Sequence, residues 1–300
     1  MFEAAVQVFR FEIARSLTPG RCLVWLALCL FPSLLLFRFQ YQLGKVKERQ
    51  LENRRNRQVV QMQQDDRMQV EVGGDFRFDE FGDDQERAEE DVKIVPDEVM
   101  VMICFYLVPQ ISCMLGLMLW TTPVVGSELE AQTWIYLSLR RHGRQAVALG
   151  KYAVAVVWTI SFGVLSAIGV SALSGVDDPL LLAATLISAV LLSSFSYAAL
   201  YLLIGAAFYR RATVLAFVLS VVLEGVVSLV PATINQLTVA YRLRSIVAKA
   251  MSVTADATDF ILGDEPIWLN ATALAAYTVL LLALAVYLVH KREYPVQTEA

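Results

Sequence analysis

A single carboxylate lies deep inside an otherwise uncharged apolar stretch of this chain. Glu224 stands twelve residues after Ala212, which corresponds to about 18 Å along a helix. A charged group inside hydrocarbon costs several kcal/mol, and it usually faces a bundle interior or a pathway. Glu224 can therefore serve in gating, substrate contact or proton binding, or it can hold helices together through hydrogen bonds. The sequence leaves these alternatives open.

A second group of charged residues follows another apolar stretch. Residues 126–133 read Gly-Ser-Glu-Leu-Glu-Ala-Gln-Thr, and a short apolar stretch and a basic cluster come next. We predict that this segment forms a short helix along the membrane with a face that another protein can bind. The alternative is an ordinary basic loop. The candidate residues are Glu128, Glu130, Thr133, Trp134, Leu137, Arg140, Arg141, Arg144 and Lys151.

No catalytic or nucleotide-binding motif occurs in the sequence. Gly150-Lys151 is followed by Tyr152 instead of Ser or Thr, and Gly143 lies seven positions before Gly150 instead of five, so the phosphate-binding P-loop is absent. The patterns H-E-x-x-H and G-x-S-x-G are also absent. The four cysteines and two histidines show no metal-ligand spacing. We therefore expect no enzymatic activity, no cofactor and no metal site.

The composition identifies a membrane protein. Hydrophobic residues make up 57% and charged residues 18% of the 300 residues, whereas soluble domains contain about 45–50% and 25%. The net charge of −4 excludes a dedicated nucleic-acid binder, which requires a basic surface.

Six apolar stretches are long enough, or nearly so, to cross about 30 Å of hydrocarbon. We predict an all-α protein with six transmembrane helices, whose apolar parts are 22–37, 99–125, 152–176, 180–209, 212–230 and 267–289. Eleven Lys and Arg residues lie in the N-terminal segment, in the loops after the second and fourth spans, and in the C-terminal tail, which this arrangement places on one side of the membrane. The short loop at Asp177-Asp178, on the other side, has none. Both termini are therefore predicted to be cytoplasmic.

Three segments lie outside these spans. Residues 1–20 are amphipathic and predict an interfacial helix before the first span at 21–38. Residues 39–98 form a charged extracytoplasmic insertion, whose first half reads as helix and whose role is either binding or simple extension of the neighbouring helices. In the remaining region, 99–300, residues 231–266 are also predicted to be extracytoplasmic, with an amphipathic helix on the membrane surface.

The loop residues resemble those of a known family. The order Glu-x-Glu, Thr, apolar stretch, Arg and then Gly-Lys at the start of the next helix is similar to the cytoplasmic loop of type-2 ABC exporter permeases. The segment from Leu223-Glu224 through Pro231 to residues 237–243 resembles one branch of these permeases. The loop departs from the family in having Arg141-His142-Gly143 where a Pro often precedes the Arg, which leaves the boundary of the coupling helix open.

The resemblance implies the function. The chain would be the permease subunit of an ABC transporter, an exporter, in a bacterial inner membrane. The loop at 126–151 would contain the coupling helix that docks into a separate ATPase subunit. Two ATPase subunits and a second permease chain, identical or related, would complete the assembly. The alternatives are a membrane scaffold that recruits an extracytoplasmic partner and an ion-coupled carrier that uses Glu224.

Overall fold

Long apolar helices dominate the protein. The computed structural model describes residues 2–16, 18–72, 95–130, 143–229, 233–252 and 265–294, and no strand occurs among them. Five helices in this part are long and apolar enough to cross a membrane, which confirms the all-α class and is typical of an integral membrane protein. They are Pro19–Asn53, Asp97–Glu130, Gly143–Leu173, Pro179–Ala207 and Ile267–Lys291.

The first two helices lie at the N-terminus. Helix α1 (Phe2–Ser16) is the predicted amphipathic helix, and it packs on the third spanning helix. Helix α2 (Pro19–Val72) has 54 residues, about 81 Å of continuous helix. The first half of the charged insertion therefore extends the first span, as the sequence predicts. Residues 73–94, which hold most of the second half, lie outside the described residues.

The second span changes its helical geometry along its length. Helix α3 (Asp97–Phe105) leads into a π-helical segment (Tyr106–Ser112), then into α4 (Cys113–Thr121) and α5 (Val124–Glu130). Pro109 lies inside the π-helical segment. Proline has no backbone N–H to donate and its ring crowds the preceding turn, which accounts for a wider turn at this position.

The third and fourth spans form a hairpin. Helix α6 (Gly143–Leu173) and helix α7 (Pro179–Ala207) are joined by a turn in which Gly175 has φ of +68°. Along α6, Gly163, Ala167 and Ser171 are buried. A Cβ at Gly163 would lie 2.6 Å from Cγ1 of Val190 on α7. The small-residue stripe in the sequence therefore serves close packing between these two helices.

The predicted fifth span differs from a full span. Helix α8 (Ala212–Ser220) continues into a π-helical segment (Val221–Val226), and we call Ala212–Val226 the half-span. Two 3-10 turns follow, Val227–Leu229 and Thr233–Leu237. The half-span is shorter than the five long helices, because the chain leaves regular helix soon after Glu224. Six full spans are therefore not confirmed.

Helix α9 (Val239–Ala250) lies inside the bundle, and α10 (Ile267–Lys291) is the last span. Nine of the twelve residues of α9 are buried, and it packs against α7 and α10. The sequence predicts this helix correctly but places it on the membrane surface. Its polar face is instead turned toward polar groups of the neighbouring helices, which the amphipathic pattern alone does not reveal.

Helix α1 and the C-terminal end of α10 lie at the same end of the bundle. Val8 of α1 contacts Gly150 near the start of α6, where a Cβ would lie 2.7 Å from Cγ1 of Val8. Arg144 donates to the carbonyl of Arg292 at 3.4 Å. At the opposite end, Gln40 of α2 donates to the carbonyl of Ser174 at 2.8 Å. That the end with α1 is cytoplasmic stays a prediction.

A close approach between the backbones of two spans provides a stability prediction. A Cβ at Gly205 of α7 would lie 2.6 Å from the carbonyl oxygen of Thr122. Since backbone cannot yield as a side chain does, Gly205→Ala should destabilise the chain by about 1–3 kcal/mol. The measurement is the melting temperature of the detergent-solubilised protein. Gly44→Ala is the control, because no described atom lies within 4 Å of its Cβ position. Equal melting of Gly205→Ala and the unmodified chain would contradict the close contact.

Candidate functional site

Glu224 lies buried at the end of the half-span and binds the start of another helix. Its Oε1 accepts from the backbone N–H of Val239 at 3.2 Å, and its Oε2 accepts from that of Ala240 at 2.7 Å. The hydroxyl of Tyr197 on α7 donates to Oε2 at 3.1 Å. Both side-chain oxygens of Glu224 are therefore engaged by backbone N–H groups at the start of one helix.

The contacts of Glu224 answer a requirement of α9. The first N–H groups of a helix have no partner within the helix. At α9 the side chain of Thr238 accepts a hydrogen bond from the N–H of Tyr241 at 3.2 Å. The carboxylate of Glu224 accepts hydrogen bonds from the N–H groups of Val239 and Ala240, the two residues before Tyr241. The positive end of the helix dipole also favours a carboxylate at this position. Glu224 is therefore a capping residue supplied by a different segment.

A row of polar contacts attaches the half-span to the bundle. Besides Glu224, Ser220 forms a hydrogen bond of 2.6 Å with the hydroxyl of Tyr201, and Thr213 forms one of 3.0 Å with Thr122. We call these three contacts the polar seam. Residues 213, 220 and 224 are spaced by seven and four positions, which places them on one helical face. That face is turned toward α7 and the second span.

The polar seam also joins the two π-helical segments found among the described residues. The Tyr197 hydroxyl lies 3.1 Å from Oε1 of Gln110 as well as 3.1 Å from Oε2 of Glu224. A phenol has one proton and can donate to only one of them at a time. Gln110 belongs to Tyr106–Ser112 and Glu224 to Val221–Val226. π-helical turns occur frequently at functional sites.

A second buried charge accompanies Glu224. Arg244 of α9 is 2% exposed. It donates to the carbonyl of Ser228 at 2.9 Å and to the hydroxyl of Tyr106 at 3.0 Å. The Ser228 hydroxyl in turn donates to the carbonyl of Glu224. We call Glu224, Ser228 and Arg244, with the N–H groups of Val239 and Ala240, the helix-end clasp.

Arg244 was not among the site residues predicted from the sequence. Residues 231–266 were predicted to be extracytoplasmic, and a basic residue in a water-exposed segment carries no functional signal. A usable signal was present, however. Buried charges in membrane proteins usually pair with one another or bind backbone carbonyls. Arg244 is a basic residue that follows Glu224 beyond Pro231, and a chain reversal near that proline brings the two residues close together.

Two of the predicted loop residues, Glu128 and Lys151, meet at the end of the bundle where α1 and the C-terminal end of α10 lie. Lys151 donates to the carboxylate of Glu128 and lies 3.2 Å from the hydroxyl of Ser127. We call these three residues the loop base. The ion pair between Lys151 and Glu128 is well shielded from solvent, since their side chains are only 13% and 10% exposed. Glu130 is exposed.

The other predicted loop residues do not belong to the loop base. Arg144 donates a hydrogen bond to the carbonyl of Arg292, just after the last span. Thr133, Trp134, Leu137, Arg140 and Arg141 lie outside the described residues.

The structure keeps Glu224 apart from the loop. Tyr197, which binds Glu224, lies ten residues from the end of α7 at Ala207, about 15 Å. Just beyond that end, the carbonyl oxygen of Tyr209 lies 3.1 Å from the Cβ position of Gly126, at the start of the loop. The helix-end clasp and the loop base are therefore two separate sites on one bundle.

Metal-binding geometry does not occur in the described part of the chain, where no group of three or more His, Cys, Asp or Glu side chains could hold an ion. No protein-family model, curated protein or solved structure matches the chain. No family is therefore assigned, and functional inference depends on the residues themselves.

The helix-end clasp predicts an order of stabilities at position 224. Glu224→Ala leaves two buried N–H groups without their acceptor, at about 1–3 kcal/mol for each unsatisfied group. Glu224→Gln retains one carbonyl oxygen for them. We expect the melting temperature in detergent to fall from the unmodified chain to Gln and further to Ala. Glu130→Ala, at an exposed carboxylate, should melt like the unmodified chain. If Glu224→Ala were as stable as the unmodified chain, Glu224 would not be the cap of α9.

Proposed function

We propose that this chain is the transmembrane permease subunit of an ABC-type exporter, driven by ATP that a separate subunit hydrolyses. The observation that carries the proposal is the loop base. Lys151 and Glu128 join the start of α6 to α5, at the two ends of the segment 131–142. Because an ion pair joins the two ends of this loop, a force on the loop acts on both of the spans that it connects. An ATPase docked on the loop would need such a connection in order to move the spans.

The charge distribution supports a cytoplasmic position for this loop. Arg144, Lys151 and Arg292 lie at the end of the bundle where the loop base is. Arg210 and Arg211 lie three and four residues after the end of α7, at the same end. Short loops rich in Lys and Arg stay on the cytoplasmic side. An ATPase in the cytoplasm would therefore meet the loop, α1 and the C-terminal end of α10 on one surface.

The complete transporter would contain further chains. We propose two ATPase subunits and a second permease chain, either identical or related, in a bacterial inner membrane. The sequence supports a separate ATPase, because the chain lacks the P-loop and its predicted cytoplasmic loops are short. No ligand contact in the described structure points to a particular cargo, so the proposal is limited to transport across the membrane.

The contacts of Glu224 favour this proposal over an ion-coupled carrier. A carrier carboxylate must release its ion or proton and become accessible during transport. Glu224 has both oxygens engaged by backbone N–H groups and a phenol at the start of α9. Opening this site would leave a helix end without its cap. The geometry therefore supports a structural role for Glu224 within the transporter.

Purification from native membranes in mild detergent tests the proposal. We expect a subunit with Walker motifs to remain bound in stoichiometric amount, and its ATPase activity to be stimulated by the permease chain. Mass spectrometry identifies the subunit, and phosphate release measures its activity. An oligomeric chain that retains no ATPase would overturn the proposal, and the scaffold and carrier alternatives would then be favoured.

A charge exchange at the loop base tests how coupling works. Glu128→Lys and Lys151→Glu each place two like charges against one another in a shielded site, which should cost at least about 1–3 kcal/mol of local stability, and each should lower the stimulated ATPase activity. The double exchange restores an oppositely charged pair and should recover a large part of it. Glu130→Lys is the control, because it changes the charge of the same segment without touching the pair. Lack of recovery in the double exchange would exclude the loop base as the coupling element.

A further inference from the structure

A groove lined by apolar side chains lies between α1, α6 and α10. Its volume is about 470 Å³. Its walls include Ala5, Val6 and Phe9 of α1, Ala153 and Val157 of α6, and Leu282 of α10. The groove borders the close crossing of α1 over α6, where Val8 packs at the position of Gly150. It shares no residue with the helix-end clasp or the loop base.

The groove extends from one end of the bundle into the depth of the lipid tails. Helix α1 lies at that end, and the apolar part of the third span begins at residue 152. Val157 lies fourteen residues after the start of α6 at Gly143, about 21 Å along the helix. Val6 and Val157 are 36% and 44% exposed. The groove is therefore open toward the surroundings of the bundle, which at this depth are hydrocarbon.

Water does not suit this groove. Among its described lining residues Tyr152 has the only polar side chain, and its hydroxyl donates to the carbonyl of Phe195 at 3.2 Å. A water molecule in a cavity needs about two to four polar partners, and apolar cavities stay dry. The groove therefore requires an apolar occupant.

A protein segment does not suit the groove either. Along the roughly 12 Å of α6 from Leu149 to Val157, this volume corresponds to a channel about 7 Å wide, whereas a helix with its side chains is about 10–12 Å wide. An extended segment is narrower, but its backbone N–H and C=O groups would find no partners on apolar walls. A single acyl chain meets neither obstacle, because it is thin, unbranched and apolar.

The polar end of such a lipid would meet Arg10. Val6 borders the groove, and Arg10 lies one helical turn later on the same side of α1, where it is exposed. Glu12 lies instead one turn after Val8, on the side of α1 that packs on α6 at Gly150. The groove side of α1 thus presents a positive charge. A guanidinium binds a phosphate group through two parallel hydrogen bonds.

We infer that this groove binds one acyl chain of a membrane phospholipid, whose phosphate group contacts Arg10. On the exposed faces of the spans, lipid touches the protein from one side only, whereas here three helices surround the chain and hold it. The bound chain fills the space between α1 and α10 and so helps to fix α1 on the bundle. A groove without lipid would leave the exporter proposal unaffected, and a chain without an ATPase partner would leave this site unaffected.

Native mass spectrometry of the full chain in detergent tests the site, with dioleoyl phosphatidylglycerol as the probe. We expect one phospholipid to stay bound after collisional activation removes the others. Ala153→Phe fills the groove and should lower the bound fraction at least about tenfold, since it removes the contacts of several methylene groups. Ala276→Phe is the matched control, because Ala276 is exposed on α10 and does not line the groove. It should retain the lipid.

The melting temperature in delipidated detergent gives a second readout. Saturating phosphatidylglycerol should raise it by about 5 °C in the unmodified chain and in Ala276→Phe, and should leave Ala153→Phe unchanged. Val6→Trp narrows the groove from α1 and replaces Ala153→Phe if that variant does not fold. Unchanged lipid retention in the variant with the filled groove, or no retained lipid in the unmodified chain, would overturn the inference.

Arg10→Gln tests the headgroup contact. It should lower the retention of phosphatidylglycerol but not that of dioleoylglycerol, which has the same acyl chains and no phosphate. Arg210→Gln is the control, since Arg210 is exposed at the same end of the bundle and does not line the groove. Equal effects of the two substitutions would contradict a phosphate contact at Arg10. Displacement of the lipid by inorganic phosphate would identify an anion site and overturn the acyl-chain assignment.

Discussion

A helix that begins inside a membrane presents backbone N–H groups that lipid cannot satisfy, and this constraint organises the centre of the bundle. Helix α9 begins at such a point. Thr238 caps one of its N–H groups, and Glu224 of the half-span caps two more. In the opposite direction, Arg244 of α9 donates to the carbonyl of Ser228, just after the half-span. Glu224 thus binds backbone N–H groups at the start of α9, and Arg244 binds a backbone carbonyl just after the half-span. These two buried side chains fix the chain reversal between the two segments.

The same constraint explains how the half-span is attached. Its inner face makes hydrogen bonds with Thr122, Tyr201 and Tyr197. Side-chain hydrogen bonds between membrane helices contribute about 0.6 kcal/mol on average, so this attachment is directional and modest in energy. The half-span also contributes Ala216, which is fully buried, to the apolar core, so both polar and apolar contacts attach it to the bundle.

The sequence predicted some of these features and missed others for physical reasons. Hydropathy identified five long spans and singled out Glu224, because a charge in an apolar stretch is a strong signal. The absence of Gly and Pro between 45 and 70 predicted the helical extension of α2. The burial of α9 against α7 and α10 was not predicted, because an amphipathic pattern shows that one face is polar, not what that face meets. The pairing of Glu128 with Lys151 brings together residues 23 positions apart, and spacing alone does not specify such a contact.

The two sites are connected most directly at Thr122, just before α5. Its hydroxyl donates to the carbonyl of Met118 at 2.6 Å, so the 3.0 Å contact with Thr213 must use the proton of Thr213. Its carbonyl oxygen lies against Gly205 of α7, with no room for a Cβ between them. Glu128 of the loop base stands six residues later on α5. A displacement of the loop base along α5 therefore reaches α7 through backbone contact, and the half-span through one hydrogen bond. Because packed backbone does not yield as side chains do, this route links the loop base to both α7 and the half-span.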